Sequence, residues 1–176
     1  LDGFRWLGID WDEGADVGGP HGPYYQSQKL PRYQQSVEQL VASGHAYWDF
    51  STTEEFAAER QAAEQKKEPF VYSRRWMAES DAQRKHFESQ GRQAVVRLKM
   101  PAETIVVTDR VRGQVEFPPD ALDDFVLVRS DGHPLYHFCV CVDDVDMGIT
   151  HVIRVDDHLA NTPKHVALFR ALGAPV

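Results

Sequence analysis

From Pro134 to Lys164 the sequence PLYHFCVCVDDVDMGITHVIRVDDHLANTPK packs polar, acidic and imidazole side chains more densely than folding alone requires. Leu135 to Val142 alternates two apolar faces, with Tyr136, Phe138, Val140 and Val142 on one side and Leu135, His137, Cys139 and Cys141 on the other. That alternation predicts a buried strand. Asp143 and Asp144 end it, Met147-Gly148 supports a turn, and His151 to Val155 predicts a second short strand whose exit carries Asp156, Asp157 and His158. Thr162 then serves as the N-cap of a helix with Pro163 in its first turn; Val166, Phe169 and Leu172 share one side, and Gly173 stands where a left-handed cap is expected. In an open α/β sheet ligands sit beyond the carboxyl ends of the strands, which puts Arg154 and the Asp-Asp-His group at a pocket mouth.

The rest of the chain divides by its punctuation. Trp6 to Trp11 is a short apolar element, Asp12 to Tyr25 a Gly/Pro-rich loop, and Pro31 to Ser43 a helix with Tyr33, Val37, Leu40 and Val41 as its buried stripe and Gly44 as its stop. Ser51 or Thr52, each with a glutamate three residues on, opens a largely polar helix through a capping box. Ser80, with Gln83 as its partner, opens a third that stops before Gly91. Short strands follow at 94–100, 104–108, 114–117 and 125–129, the last turning at Ser130 to Pro134.

A chain of 176 residues, 42% hydrophobic and 26% charged, can bury a real core. No apolar run is long enough to cross a bilayer, and Leu1 does not open a signal-peptide pattern. Cys139 and Cys141, neighbours on one strand face, read as reduced core residues. The net charge of −8 argues against a polyanionic partner until it is divided along the chain. Lys66 to Arg112 carries eleven basic and six acidic residues. Such a surplus suits phosphate contact, and a plain solvated surface produces the same count.

These residues resemble a known family. Tyr136-x-Phe138 followed by DDxxMGITHVIRxxDHxxNTPK is similar to the second half of the catalytic domain of bacterial-type glutamyl-tRNA synthetases. The blocks WLGIDWDEG (6–14), GPYYQS (22–27), Arg112-Gly113 and LDDFVLVRSDG (122–132) resemble the same family in the same order. The resemblance implies an α/β, Rossmann-like class I catalytic domain interrupted by an α+β insertion that grips the tRNA acceptor end. Its segments are 1–48, the end of the first half; 49–128, the insertion; and 129–176, the second half.

Carried over to this sequence, the family implies that Tyr136, Phe138 and Val140 line the amino-acid pocket and that Arg154 holds a carboxylate of glutamate. A guanidinium can take a carboxylate through two parallel hydrogen bonds, which suits that task. Asp157 and His158 fall on the ATP side, Asp157 at a ribose hydroxyl, and Arg74, Arg75, Arg110 and Arg112 fall on the tRNA side. The implied reaction uses ATP with Mg2+, L-glutamate and tRNA-Glu in a cytoplasmic monomer. The family's histidine-rich and lysine-bearing ATP signatures are expected upstream of Leu1 and beyond Val176, which leaves no catalytic residue here and makes the chain an internal piece unable to catalyse alone. Where many members carry cysteines for a structural zinc, this chain has Asp49, Ser51 and Trp76, with only Tyr72 retained, so no structural zinc is expected. Val155 replaces the usual glycine after the arginine and puts the turn there in doubt.

Other readings stay open on sequence: a glutamyl-queuosine tRNA-Asp synthetase, glutaminyl-tRNA synthetase, and a non-catalytic tRNA-binding piece. A metal-dependent phosphohydrolase built on Asp143, Asp144, Asp146, His151, Asp156, Asp157 and His158 is the reading from a different class.

Overall fold

A computed structural model describes residues 1–175. In chain order its helices are Asp2–Trp6 (α1), Leu30–Ala42 (α2), Thr53–Lys66 (α3), Asp81–Ser89 (α4), Tyr136–Asp146 (α5) and Thr162–Ala171 (α6). The strands are Ala46–Asp49 (β1), Val95–Leu98 (β2), Ile105–Asp109 (β3), Gly113–Phe117 (β4) and Val126–Val128 (β5). Short 3-10 turns occupy Gln26–Gln28, Pro119–Ala121 and Asp156–Asn161.

The locally punctuated helices form where the sequence predicts them. In α2, Pro31 sits in the first turn, Tyr33, Val37 and Leu40 are buried, and Gly44 leaves the helix at φ +77°. Thr52 caps α3 through a complete box with Glu55. Glu55 is held further by both Arg92 amino groups, at 2.8 and 2.9 Å. Ser80 caps α4 by accepting from the Gln83 amide, while the Gln83 side chain reaches the Glu79 amide rather than completing a box.

β1, which follows α2 directly, has no sequence signature, because four residues are too few to show a period. It becomes a strand by pairing with β2 from Ala46↔Leu98 to Asp49↔Val95, and β5 pairs with the other edge of β2. β3 and β4 form a separate hairpin. Every strand pair among the described residues is antiparallel. One core joins α2, β1, β2, β3, β5, α5 and α6, so residues from 1–48, 49–128 and 129–176 all contribute to it.

Three expectations are overturned. Leu135–Val142 is not a strand: Tyr136 to Asp146 form helix α5. A run apolar on every side is ambiguous between a buried strand and a buried helix. Here α5 is enclosed by α2, α6 and β5, so its apolar residues need no single stripe. The acids settle the geometry. Asp143 meets the Lys29 ammonium at 2.5 Å, and Asp146 pairs with Arg32 at 2.7 Å. A separation of three residues puts both acids on one helix face, whereas in a strand they would point to opposite sides. His151–Val155 is not a strand either; it runs without a ladder partner among the described residues, and Ile153 is 98% exposed. Trp6–Trp11 is not an element, since α1 ends at Trp6 and Trp6 is exposed. Two smaller corrections follow. The N-cap of α6 is Asn161 rather than Thr162. Cys139 and Cys141 lie two apart on a helix and are both free and buried, with burial raising both thiols, Cys139 to about 11.

Beneath the β1–β2–β5 sheet lies a closed polar network. Asp49 accepts from Arg97 Nε at 2.6 Å, Tyr72 Oη at 2.6 Å and Ser51 Oγ at 2.7 Å. Asp124 accepts from Arg74 through Nε and Nη2 at 2.6 and 2.9 Å, from Tyr47 Oη at 2.6 Å and from the Met100 amide at 2.8 Å. Arg97 joins the two by donating to the Asp124 carbonyl while lying over the Phe56 and Tyr72 rings. Three of the positions at which the resembling family places zinc ligands, Asp49, Ser51 and Tyr72, are thus joined by hydrogen bonds, and the fourth, Trp76, accepts from the Phe50 amide through its carbonyl. Removing one partner of a buried pair strands the other charge, at a cost of about 3–5 kcal/mol. Asp49→Ala is therefore expected to lower the unfolding free energy by about that amount, read by urea denaturation followed through Trp48 and Trp76 fluorescence; a loss under about 1 kcal/mol would mean that the network is dispensable.

Candidate functional site

Arg154 lies in the unpaired segment before α6 and is held by that helix rather than by the end of a parallel strand. Its Nη2 donates to Thr162 Oγ1 at 2.5 Å and its Nη1 to His165 Nδ1 at 3.4 Å. Thr162 and His165 are three residues apart in the first turn of α6 and so face the same way. Among the described residues no carboxylate lies within ion-pair distance of Arg154. A guanidinium carries five N–H donors. Two neutral acceptors fix this one, and the carboxylates that feel its charge, Asp109 and Asp144, do so from beyond ion-pair distance.

Behind it, His165 Nε2 stands 3.0 Å from His137 Nδ1. The arginine can only donate, so His165 Nδ1 must accept and its proton must sit on Nε2, from which it donates to His137. The sequence alone does not mark Thr162, His165 or His137 as site residues. The available signal was the pair Thr162 and His165 at helical spacing directly after the arginine.

The remaining predicted positions separate. Tyr136 opens α5, 64% exposed and with its ring edge-on against His137, and Val140, four residues on, shares its helix face. Phe138 does not: it is 0% exposed, packed against Tyr33 in the core, because helical geometry turns it away from Tyr136. Asp157 and His158 are exposed on the turn after Val155, and neighbouring Asp156 pairs with Arg112 at the tip of the β3–β4 hairpin. Val155 causes no strain there; its backbone is extended at φ −67°, ψ 155° and its side chain points to solvent. Among the proposed tRNA contacts, Arg75 and Arg110 are exposed and Arg112 is exposed in its ion pair, whereas Arg74 turns inward onto Asp124.

The acidic and imidazole residues that could be read as a phosphohydrolase centre do not converge. Asp143 and Asp146 are spent on Lys29, Arg32 and Tyr33, while Asp156 meets Arg112 elsewhere. No group of three or more His, Cys, Asp or Glu among the described residues could hold a metal ion. Surface hollows of about 410, 390 and 420 Å3 lie elsewhere, beside α2, beside α4 and between Tyr72 and Leu122, and none is lined by Tyr136, Arg154, Asp157 or His158. No helix is long and apolar enough to cross a membrane.

Burial, and after it the charge of Arg154, pushes His165 from an ordinary 6.5 down to about 4. Between those values the unfolded chain binds a proton that the folded chain refuses, so stability falls as pH drops through the window, by on the order of 3 kcal/mol at its acid end. His165→Asn removes this component. Denaturation measured from about pH 7 down to about pH 4 is expected to show a shallower loss in the variant; parallel losses would refute the assignment.

The whole sequence matches the family model of class I tRNA synthetases (E and Q), catalytic domain, over residues 1–176. Glutamate–tRNA ligase of Desulforamulus reducens is 47% identical over 174 residues, covering 98% of this chain and 36% of that protein. The enzyme of the same name from Symbiobacterium thermophilum is 45% identical over 177 residues, covering 37% of its length. A glutamate–tRNA synthetase structure from Elizabethkingia anophelis superposes with a TM-score of 0.86 at 33% identity, over 99% of this chain and 37% of that one. A glutamate tRNA ligase structure from Elizabethkingia meningosepticum in complex with its amino acid matches equally well. The chain therefore spans little more than a third of the length of these relatives, and it belongs to the class I tRNA synthetases of the glutamate and glutamine group, with the fold of their catalytic domain.

Proposed function

We propose that the full-length protein is a glutamate–tRNA ligase, forming glutamyl-adenylate from L-glutamate and ATP with loss of pyrophosphate and passing the glutamyl group to the 3′ end of tRNA-Glu. The observation that carries this reading is the state of Arg154: oriented by Thr162 and His165, and without a carboxylate of its own among the described residues. A cation so held is suited to an incoming carboxylate, because none must first be displaced. Tyr136, whose ring abuts His137, would add a phenol to the pocket and Val140 an apolar wall, and the naming of the relatives supports glutamate as the amino acid.

Asp157 and His158 would take the ribose end of ATP. A carboxylate accepts from ribose hydroxyls and repels phosphates, so magnesium would travel with the phosphates and not with these residues; when bound it would offset their charge. Catalysis of this kind rests on positioning and on stabilising charge rather than on a covalent enzyme intermediate. Arg75, Arg110 and Arg112 are the exposed cations suited to the tRNA acceptor end, within an insertion of 49–128. The same reading makes the protein a cytoplasmic monomer.

The test is glutamate-dependent ATP–pyrophosphate exchange by the full-length protein, with and without tRNA-Glu. Exchange that requires tRNA is expected for the ligase, and exchange without it would favour the queuosine-modifying relative. Arg154→Ala is expected to raise the glutamate KM about a hundredfold or more, the size of a lost buried charge pair. Arg154→Lys should recover little, since an ammonium cannot reproduce the planar fork. An unchanged glutamate KM in both variants would overturn the reading.

A further inference from the structure

We propose that His165, backed by His137, is a positioning residue that fixes the Arg154 guanidinium while leaving its charge free. This rests on the reading of Arg154 as the carboxylate-binding residue. The chain of donation runs one way, from Arg154 Nη1 to His165 Nδ1 and from His165 Nε2 to His137 Nδ1. Each link sets the next. The obligate donor selects the tautomer of His165, and His137 fixes the ring by accepting the remaining proton.

The neutrality of the acceptors is the functional point. An arginine held by Asp or Glu is oriented but already paired, and an incoming carboxylate would compete with the protein for it. Imidazole and hydroxyl acceptors impose the same geometry and leave the guanidinium without a paired anion. Burial of His165, at 6% exposure, keeps the ring uncharged. His137, half-buried between Phe125 and Tyr136, is likewise lowered by burial first and by Lys164 and Arg154 after it. Because its ring also abuts Tyr136, the same pair aligns the second residue proposed for the pocket.

The experiment uses the full-length protein and reads the KM for glutamate and for ATP, kcat, and the melting temperature. His165→Phe keeps a buried ring and removes the acceptor. It is expected to raise the glutamate KM about tenfold, the size of one charge-assisted hydrogen bond, with the ATP KM and kcat little changed. His165→Asn places an amide oxygen near the former Nδ1 and is expected to recover most of that loss, which a purely structural role would not permit. His137→Phe, at a half-buried position that tolerates the ring, is expected to raise the glutamate KM about threefold by releasing the tautomer. It decides the question alone should His165→Phe fail to fold.

If Arg154→Ala impairs glutamate binding while His165→Phe and His137→Phe do not, the positioning role is wrong and the pocket assignment stands. If Arg154→Ala is itself without effect, the underlying reading fails. Equal impairment by Phe and Asn at 165, with a lowered melting temperature, would reduce His165 to a packing residue and overturn the proposal.

Discussion

The Asp143 carboxylate decides where α5 sits, and much else follows from α5. It is approached by the Lys29 ammonium at 2.5 Å and by Tyr33 Oη at 2.9 Å, with Gln26 at 3.3 Å, all from a segment more than a hundred residues away in sequence. Lys29 and Tyr33 are buried. A charge taken from water must be matched by its partner and by hydrogen bonds, or several kcal/mol are lost. The helix can therefore dock on α2 only in the register that brings Asp143 to Lys29, with Asp146 reaching Arg32 one turn later. That register sends Phe138 and Val142 into the core and turns Tyr136 and Val140 toward the opposite face. It also presents His137 to α6, and through His165 it presents Arg154. An ion pair on one side of the helix thus sets the geometry of the site on the other.

What the sequence reveals depends on how far away the deciding interaction lies. Thr52 with Glu55, Ser80 with Gln83 and Gly44 after α2 can be read because the groups they satisfy are within a few residues. α5 cannot be read that way. Its faces are covered by elements distant in the sequence, so the polar stripe that gives a surface helix its period is missing, and alternating Val and Cys then imitate a strand. The one local clue is the spacing of Asp143 and Asp146, which only a helix turns toward the same partners. His151–Val155 has the composition of a strand and finds no ladder partner among the described residues; a strand is a property of two segments and cannot be inferred from one. For the proposed site, Arg154, Tyr136 and Val140 are candidates that the family resemblance supplies, but the groups that hold Arg154 are not legible, since acceptance by His165 follows only from the packing of α6.

The charge pattern illustrates the same limit in electrostatic form. Lys66 to Arg112 carries a clear surplus of cations, yet Arg74, Arg84, Arg92, Arg97 and Arg112 are each paired with a carboxylate, four of the five supplied from outside that stretch or from its far side. Arg97 and Arg74 are structural cations inside the polar network, and counting them toward a phosphate-binding surface overstates it. The acidic clusters behave likewise. Asp143 and Asp156 stand within fourteen positions of each other in sequence and serve different partners on different elements. Net charge over a window measures a surface only after the cations paired with carboxylates, most of them outside the window, are removed.

The hairpin β3–β4 shows which kind of contact joins the middle of the chain to the Arg154 region. Its tip reaches the 156–161 turn through Arg112 and Asp156, but both side chains are about half exposed or more, and a pair of that kind contributes about 0–1 kcal/mol. Ile105, at the base of the hairpin, is buried in the core shared with α6. Burying such a side chain contributes about 1.5–3 kcal/mol, so the hairpin is kept beside α6 by packing and not by its charges. The arginines at its tip therefore retain freedom to exchange partners while its base stays fixed. The helix against which that base packs is the one whose first turn orients Arg154, so a polyanion could take up Arg112 without disturbing the residues that hold the guanidinium.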